Sequence, residues 1–180
     1  MEKTNVIIFT DIGDTIIDEG TEIRTTPGGV VHKADCIEGA KEAMLALYAK
    51  GFTIALVADG LDESFHNTMR QNGLEHIFAA WVVSEKLNTH KPDRRMFEAA
   101  MEQLGLAESD KRRIIMVGNN LSRDVAGANR FGIRSVHLCW SPRYPHEASV
   151  PEEEPDYRIF HPSELPALVE ALERELRASV

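Results

Sequence analysis

Val6-Ile7-Ile8-Phe9-Thr10-Asp11-Ile12-Gly13-Asp14-Thr15 is a short apolar run that breaks abruptly into a polar turn. Consecutive apolar residues without alternation fit a strand buried on both faces, as in a parallel sheet covered by helices. In such sheets the ligand crevice lies outside the carboxyl ends of the strands. Asp11 stands at that end.

The pattern repeats outward from this stretch. Phe52-Thr53-Ile54-Ala55-Leu56-Val57, Ala80-Trp81-Val82-Val83, Ile114-Ile115-Met116-Val117 and Arg134 to Leu138 read as four further strands. Between them, apolar residues recur at helical spacing. Ala40, Ala43, Met44, Leu47 and Tyr48 lead to a stop at Gly51, and Leu61, Phe65 and Met69 to one near Gly73. Met96, Phe97, Ala100, Met101 and Leu104 lead to Gly105, and Asp124 to Phe131 forms a short helix closed by Gly132. Glycine suits these stops because it accepts the left-handed conformation that ends a helix. Pro92 is predicted in the first turn of the third helix, where its missing N–H has no partner to lose. A last helix starts near Ser163 and carries Leu165, Leu168, Val169, Leu172 and Leu176. The alternation predicts an α/β fold: a mostly parallel sheet with helices on both faces and right-handed crossovers. Ser141 to Asp156, holding four of the eight prolines, is expected to be a surface loop.

Composition bounds the function. The chain of 180 residues is 43% hydrophobic, which suits one domain (1–180). A formal charge of −9 disfavours sequence-independent nucleic-acid binding, which needs a dense basic surface. The compact basic run Lys111-Arg112-Arg113 reads as a solvated loop. No apolar run is long enough to span a bilayer. Met1-Glu2-Lys3-Thr4-Asn5 lacks the features of a signal peptide, and Cys36 and Cys139 form no disulfide framework. The expectation is a cytoplasmic protein with no membrane partner. The seven histidines show no zinc spacing, and there is no nucleophile elbow or P-loop.

Four polar segments fall at strand ends or helix starts: Thr10 to Thr15, Ala58-Asp59-Gly60, Thr89-His90-Lys91-Pro92, and Gly118-Asn119-Asn120-Leu121-Ser122-Arg123-Asp124. The predicted fold brings them to one edge of the sheet. They supply carboxylates, a lysine, amide oxygens and backbone N–H groups, which suit a hard cation such as Mg²⁺ and an anionic phosphate.

In order and spacing, these segments resemble the four motifs of the haloacid dehalogenase-like (HAD) superfamily of hydrolases. The resemblance covers essentially the whole chain. It implies a three-layer Rossmann-like core, Mg²⁺ as cofactor, and phosphoryl transfer through an aspartyl-phosphate. On this resemblance Asp11 is the nucleophile, Thr15 closes the first motif, and Lys91 stabilises charge. Asp11, Gly13, Asn119 and Asp124 stand at the metal positions. Ala58, Asp59 and Gly60 stand at the substrate-binding second motif, and Arg143, in the loop after the fifth strand, is a candidate phosphate clamp.

Three residues depart from the family's pattern. Gly13 stands where HAD phosphatases usually carry a second Asp, which protonates the leaving group and then activates water. Asp14 is adjacent, but one step along a tight turn aims its side chain elsewhere. Ala58 replaces a phosphate-binding Ser or Thr, and Asn119 replaces a common Asp metal ligand. These departures leave two outcomes open: a phosphatase with altered chemistry, or a weakly active or inactive HAD-like binding or regulatory module. A phospho-accepting receiver domain also places Asp at strand ends, but would carry its acceptor after the third strand.

The intervals from Asp11 to Ala58 and from Ala58 to Lys91 leave no room for a folded cap once their helices are counted. The stretch 16–35 can form only a hairpin-like flap, so the face is expected to be open. In the family, openness is similar to members that act on large substrates or complete their site by oligomerisation. The implied partners are therefore a phosphorylated substrate, small or macromolecular, and a second copy of the chain in a homo-oligomer.

Overall fold

A computed structural model describes residues 5–178 of the chain. Residues 1–4 of the amino-terminal segment read above lie outside the described residues. The first strand, β1 (Ile7–Thr10), leads into a segment with a 3₁₀ turn (Glu19–Thr21) and two short antiparallel strands, β2 (Ile23–Arg24) and β3 (Val31–Lys33). There follow α1 (Ala40–Ala49), β4 (Thr53–Ala58), α2 (Asp62–Gln71), β5 (Phe78–Val83), α3 (Ser84–Leu87) and α4 (Arg94–Gln103). The chain ends with β6 (Ile114–Gly118), α5 (Ala126–Phe131), β7 (Arg134–Leu138), β8 (Tyr157–Ile159) and α6 (Leu165–Ala178).

The main sheet has six strands in the order β5-β4-β1-β6-β7-β8, and every pairing is parallel. Alternation along β1 assigns its residues to opposite layers, since successive side chains leave a strand on opposite faces. Ile8 joins Ile54, Leu56, Ile115 and Val117 beneath α1, α2 and α6, through Met44, Leu47, Met69, Val169 and Leu172. Ile7 and Phe9 join Ala55, Val57, Ile114 and Met116 beneath α4 and α5, through Met96, Phe97, Ala100 and Phe131. The result is the expected three-layer α/β Rossmann-like arrangement. No helix among the described residues is long and apolar enough to cross a membrane.

Several local expectations are corrected. Pro92 is not in the first turn of α4. Asp93 is the cap residue and its side chain accepts from Arg95 N, so the helix starts at Arg94 and the cis Lys91-Pro92 bond lies ahead of it. A carboxylate at the cap satisfies an N–H that would otherwise lack a partner. Asp124 does not open an ordinary helix; it belongs to a single π turn, Leu121–Val125, that precedes α5. A sixth strand, β8, follows the proline-rich loop and extends the sheet beside β7. Lys111-Arg112-Arg113 ends a 3₁₀ turn in which Lys111 pairs with Glu108 and lies over the Phe131 ring, and Arg113 pairs with Asp110.

Candidate active site

The middle of the sheet positions the site. Strands β1 and β6 lie side by side in register, from Ile7 opposite Ile114 to Thr10 opposite Val117. The Asp11 N–H continues that ladder by donating to Val117 O at 2.9 Å. Crossovers from β1 run one way to β4 and β5, and those from β6 run the other way to β7 and β8. The strand order therefore reverses where Asp11 and Asn119 emerge, which is where such sheets open a crevice.

Lys91 joins these ends. Its side chain is 1% exposed, and Nζ donates to Asp11 Oδ1 at 2.8 Å and to Asp124 Oδ1 at 2.6 Å. The second oxygen of Asp124 accepts from Asn120 N at 3.0 Å. Asp59 braces the same loop from β4, its Oδ1 accepting from Lys91 N at 3.0 Å. Asn120 also caps the π turn, its side chain accepting from Arg123 N.

Burial raises Asp11 to about 6; Lys91 opposes that rise and the nearby Asp124 charge adds to it. Burial alone would push the Lys91 ammonium down, but Asp11, Asp124 and Asp59 hold it above the ordinary lysine range. Burial also raises Asp59, against the pull of Lys91. The Lys91 ammonium thus serves Asp11 and Asp124, while Arg123 lies 4.0 Å from Asp59. Two cations against three carboxylates in a region of low dielectric leave an excess of negative charge.

A cavity of about 280 Å³ opens over this cluster. Asp11, Gly13, Asp59, Gly60, Lys91, Asn119 and Asp124 all line it. Three other candidates do not. Ala58 is fully buried in the core beneath α1 and α2, so at the second motif Asp59 and Gly60 alone face the cavity. Thr15 lines a small gap with Thr10, Val117 and Leu138, and its buried Oγ1 has no hydrogen-bond partner among the described residues. Arg143 points at carboxylates: Nε donates to Asp14 Oδ2 at 2.7 Å and Nη1 lies 3.3 Å from Glu19 Oε2.

Asp14 itself is 1% exposed and turned from the cavity, at a backbone φ of 49°. Its oxygens accept from Glu19 N, Ser141 Oγ and Arg143 Nε. That turn delivers a residue the sequence reading missed. Glu19 folds back from the 3₁₀ turn to line the cavity beside Gly13. Burial pushes its carboxyl up to about 7, helped by Asp14, Glu22 and Asp11 and opposed by Arg143. Arg123 and Tyr144 also line the cavity and were not singled out. Arg123 belongs to the fourth polar segment, whereas Glu19 sits in an unremarkable acidic stretch with no local signal.

Similarity to known proteins agrees with this geometry. Residues 8–138 match the family model described as haloacid dehalogenase-like hydrolase. A glyceraldehyde 3-phosphate phosphatase of Methanopyrus kandleri is 28% identical over 132 residues, covering 73% of this chain and 55% of the relative. A phosphoserine phosphatase of Thermus thermophilus is 33% identical over 119 residues, covering 66% of this chain and 45% of the relative. The chain therefore spans about half the length of the curated relatives it matches. Among solved structures, a protein from Listeria monocytogenes serotype 4b superposes with a TM-score of 0.76 at 20% identity, covering 94% of this chain and 99% of that one. The HAD-hydrolase YfnB from Bacillus subtilis, solved bound to magnesium, gives 0.73 at 17% identity, covering 93% and 99%. With the family model spanning most of the chain and the fold shared along nearly all of it, the chain belongs to the haloacid dehalogenase-like hydrolases.

Proposed function

We propose that the protein is a Mg²⁺-dependent phosphatase that cleaves a phosphate ester through an aspartyl-phosphate on Asp11. The observation that carries this reading is the buried Lys91 bridging Asp11 and Asp124 at the floor of the cavity. Asp11 Oδ attacks phosphorus, the ester P–O bond breaks, and the alcohol leaves. Water then attacks the aspartyl-phosphate, the Asp11–phosphorus bond breaks, and inorganic phosphate departs. Dividing one difficult displacement into two is what a carboxylate nucleophile contributes. Lys91 keeps Asp11 ionised and oriented, and it offsets charge that develops on the transferring oxygens.

The donor set fits a hard divalent cation. Asp11, Asp124, the Asn119 amide oxygen and the Gly13 carbonyl are all oxygen donors, the class Mg²⁺ prefers. The negative charge left over around Lys91 favours a cation at this place. Among the described residues no three His, Cys, Asp or Glu side chains form a metal cluster on their own, so this set relies on the amide and the carbonyl. When bound, Mg²⁺ would neutralise charge on the phosphate and polarise it for attack.

The named phosphatase relatives support the reaction class. The hairpin-like segment 16–35 at the cavity mouth, with no separate cap, is part of the proposal, as are phosphorylated substrates of varied size and a homo-oligomer. The free Cys36 and Cys139 support a cytoplasmic setting. A second reading, a HAD-like binding or regulatory module, is favoured by Gly13, which brings no side chain to the proton transfers.

The test is phosphate release from a panel of phosphate esters, with and without Mg²⁺, comparing wild type with Asp11→Asn. Mg²⁺-stimulated hydrolysis abolished by the substitution is expected. Equal rates in the two proteins would overturn the phosphatase reading and favour the binding module.

A further inference from the structure

Phosphoryl transfer to Asp11 leaves an alkoxide that needs a proton, and the second step needs a base for water. Most carboxyls lining the cavity are engaged elsewhere. Asp124 is held by Lys91 Nζ and Asn120 N, Asp59 by Lys91 N, and Glu22 by Arg24. Asp14 is buried away from the cavity by Ser141 and Arg143.

Glu19 is different. A Cβ built on Gly13 would overlap Glu19 Oε1 and fall 2.9 Å from its Cδ. The Glu19 carboxyl therefore fills the volume that a side chain at position 13 would take, beside Asp11 in the same cavity. It is held there from behind. Glu19 N donates to Asp14 Oδ1 at 3.0 Å, and Arg143 spans Asp14 Oδ2 at 2.7 Å and Glu19 Oε2 at 3.3 Å. With Oε2 turned to Arg143, Oε1 is the oxygen that faces Gly13.

We infer that Glu19 is the catalytic acid and base of this site, supplied by the flap in place of a side chain on residue 13. The assignment rests on the phosphatase reading. In the first step the protonated Glu19 carboxyl gives its proton to the ester oxygen as the P–O bond breaks and the Asp11–phosphorus bond forms. In the second step the Glu19 carboxylate takes a proton from the attacking water as the Asp11–phosphorus bond breaks. Phosphate leaves, and both carboxyls return to their starting states. Asp14 and Arg143 are positioning residues for Glu19.

The experiment compares wild type, Asp11→Asn, Glu19→Gln, Glu19→Ala and the double variant Gly13→Asp/Glu19→Ala, all with saturating Mg²⁺. The substrates are n-propyl phosphate, whose leaving group needs a proton, and 4-nitrophenyl phosphate, whose leaving group does not. General acid–base catalysis is worth about 10²- to 10⁴-fold. Glu19→Gln is expected to lose that factor in propyl phosphate turnover. With 4-nitrophenyl phosphate it should keep a fast burst of nitrophenolate, on the order of one per active site, followed by slow turnover as the unassisted water step limits. The double variant should recover propyl phosphate hydrolysis relative to Glu19→Ala, because Asp at position 13 occupies the vacated space. Asp11-dependent wild-type activity with Glu19→Gln unchanged on both esters would overturn the Glu19 role and leave the phosphatase reading standing. Equal loss of burst and turnover would also overturn it, by making Glu19 structural. Wild-type activity that survives Asp11→Asn, or no activity at all, would overturn both.

Discussion

Gly118 makes the space in which the Asp124 carboxylate rests. A Cβ on Gly118 would overlap that carboxylate and fall 2.6 Å from Asp124 Cβ. The glycine at the end of β6 is thus required by close approach. It lets Asp124 reach back from the π turn to Lys91.

Gly118→Ala is therefore expected to displace Asp124, whose Cβ is too close to be accommodated by rotating the carboxylate alone. Overpacking of this kind costs about 1–3 kcal/mol. The displaced carboxylate should also weaken activation by Mg²⁺. Urea denaturation and a Mg²⁺ titration of phosphate release check this; unchanged values in both would show that Asp124 does not need this space.

Lys91→Met tests the ion cluster. Removing the lysine leaves the buried Asp124 and the partly exposed Asp11 without their cation, and breaking the buried Lys91–Asp124 pair costs about 3–5 kcal/mol. Loss of an electrostatic stabiliser of the transition state should lower the Asp11-dependent rate by about 10²- to 10³-fold. Adding Asp11→Asn to Lys91→Met should recover part of the lost stability by removing one uncompensated charge. Additive losses in that double variant would contradict the coupling.

Thr15→Val is expected to stabilise the fold. The Thr15 hydroxyl is buried without a partner among the described residues, and an unsatisfied polar group of this kind costs about 1–3 kcal/mol. Valine keeps the shape and removes the oxygen. A rise in the thermal midpoint checks this, and a fall would reveal a partner for the hydroxyl.

Glu173 should set part of the acid limit of stability. From α6 its carboxylate accepts from Asn5 N and Val6 N, at the entry to β1, and from Arg177 Nε. Burial alone would raise this carboxyl, but the Val6 and Asn5 amides and the Arg177 guanidinium outweigh it and hold it below the ordinary glutamate range. A carboxyl lowered on folding binds fewer protons in the folded state, so its stabilisation is present above the unfolded value and is lost as pH falls. Glu173→Gln should cost about 1–3 kcal/mol at neutral pH. The gap to wild type should narrow below about pH 4.5, the unfolded value for glutamate. A gap independent of pH would show that the charge is not what matters.

The residues determined much by themselves. Apolar runs such as Ile7-Ile8-Phe9 and Ile114-Ile115-Met116-Val117 can be satisfied only between two layers, so they specify buried parallel strands. Helical spacing with glycine stops specifies the helices between them. Polar breaks at the strand ends then place Asp11, Asp59, Lys91, Asn119 and Asp124 at one edge, because those positions follow from local order along the chain.

Other features were decided only in three dimensions. Strand β8 has three residues, too few for a periodic signal, and exists because β7 offers an edge to pair with. Pro92 lies ahead of its helix because the Asp93 side chain caps α4 instead. Ala58 and Thr15 stand at motif positions, yet packing turns them from the cavity. The Asp14–Arg143 pair joins residues 129 positions apart, and both of its members hold Glu19 where its carboxyl lies against Gly13. Composition and spacing report what one stretch of chain can satisfy locally. They do not report which distant side chain fills the space a glycine leaves.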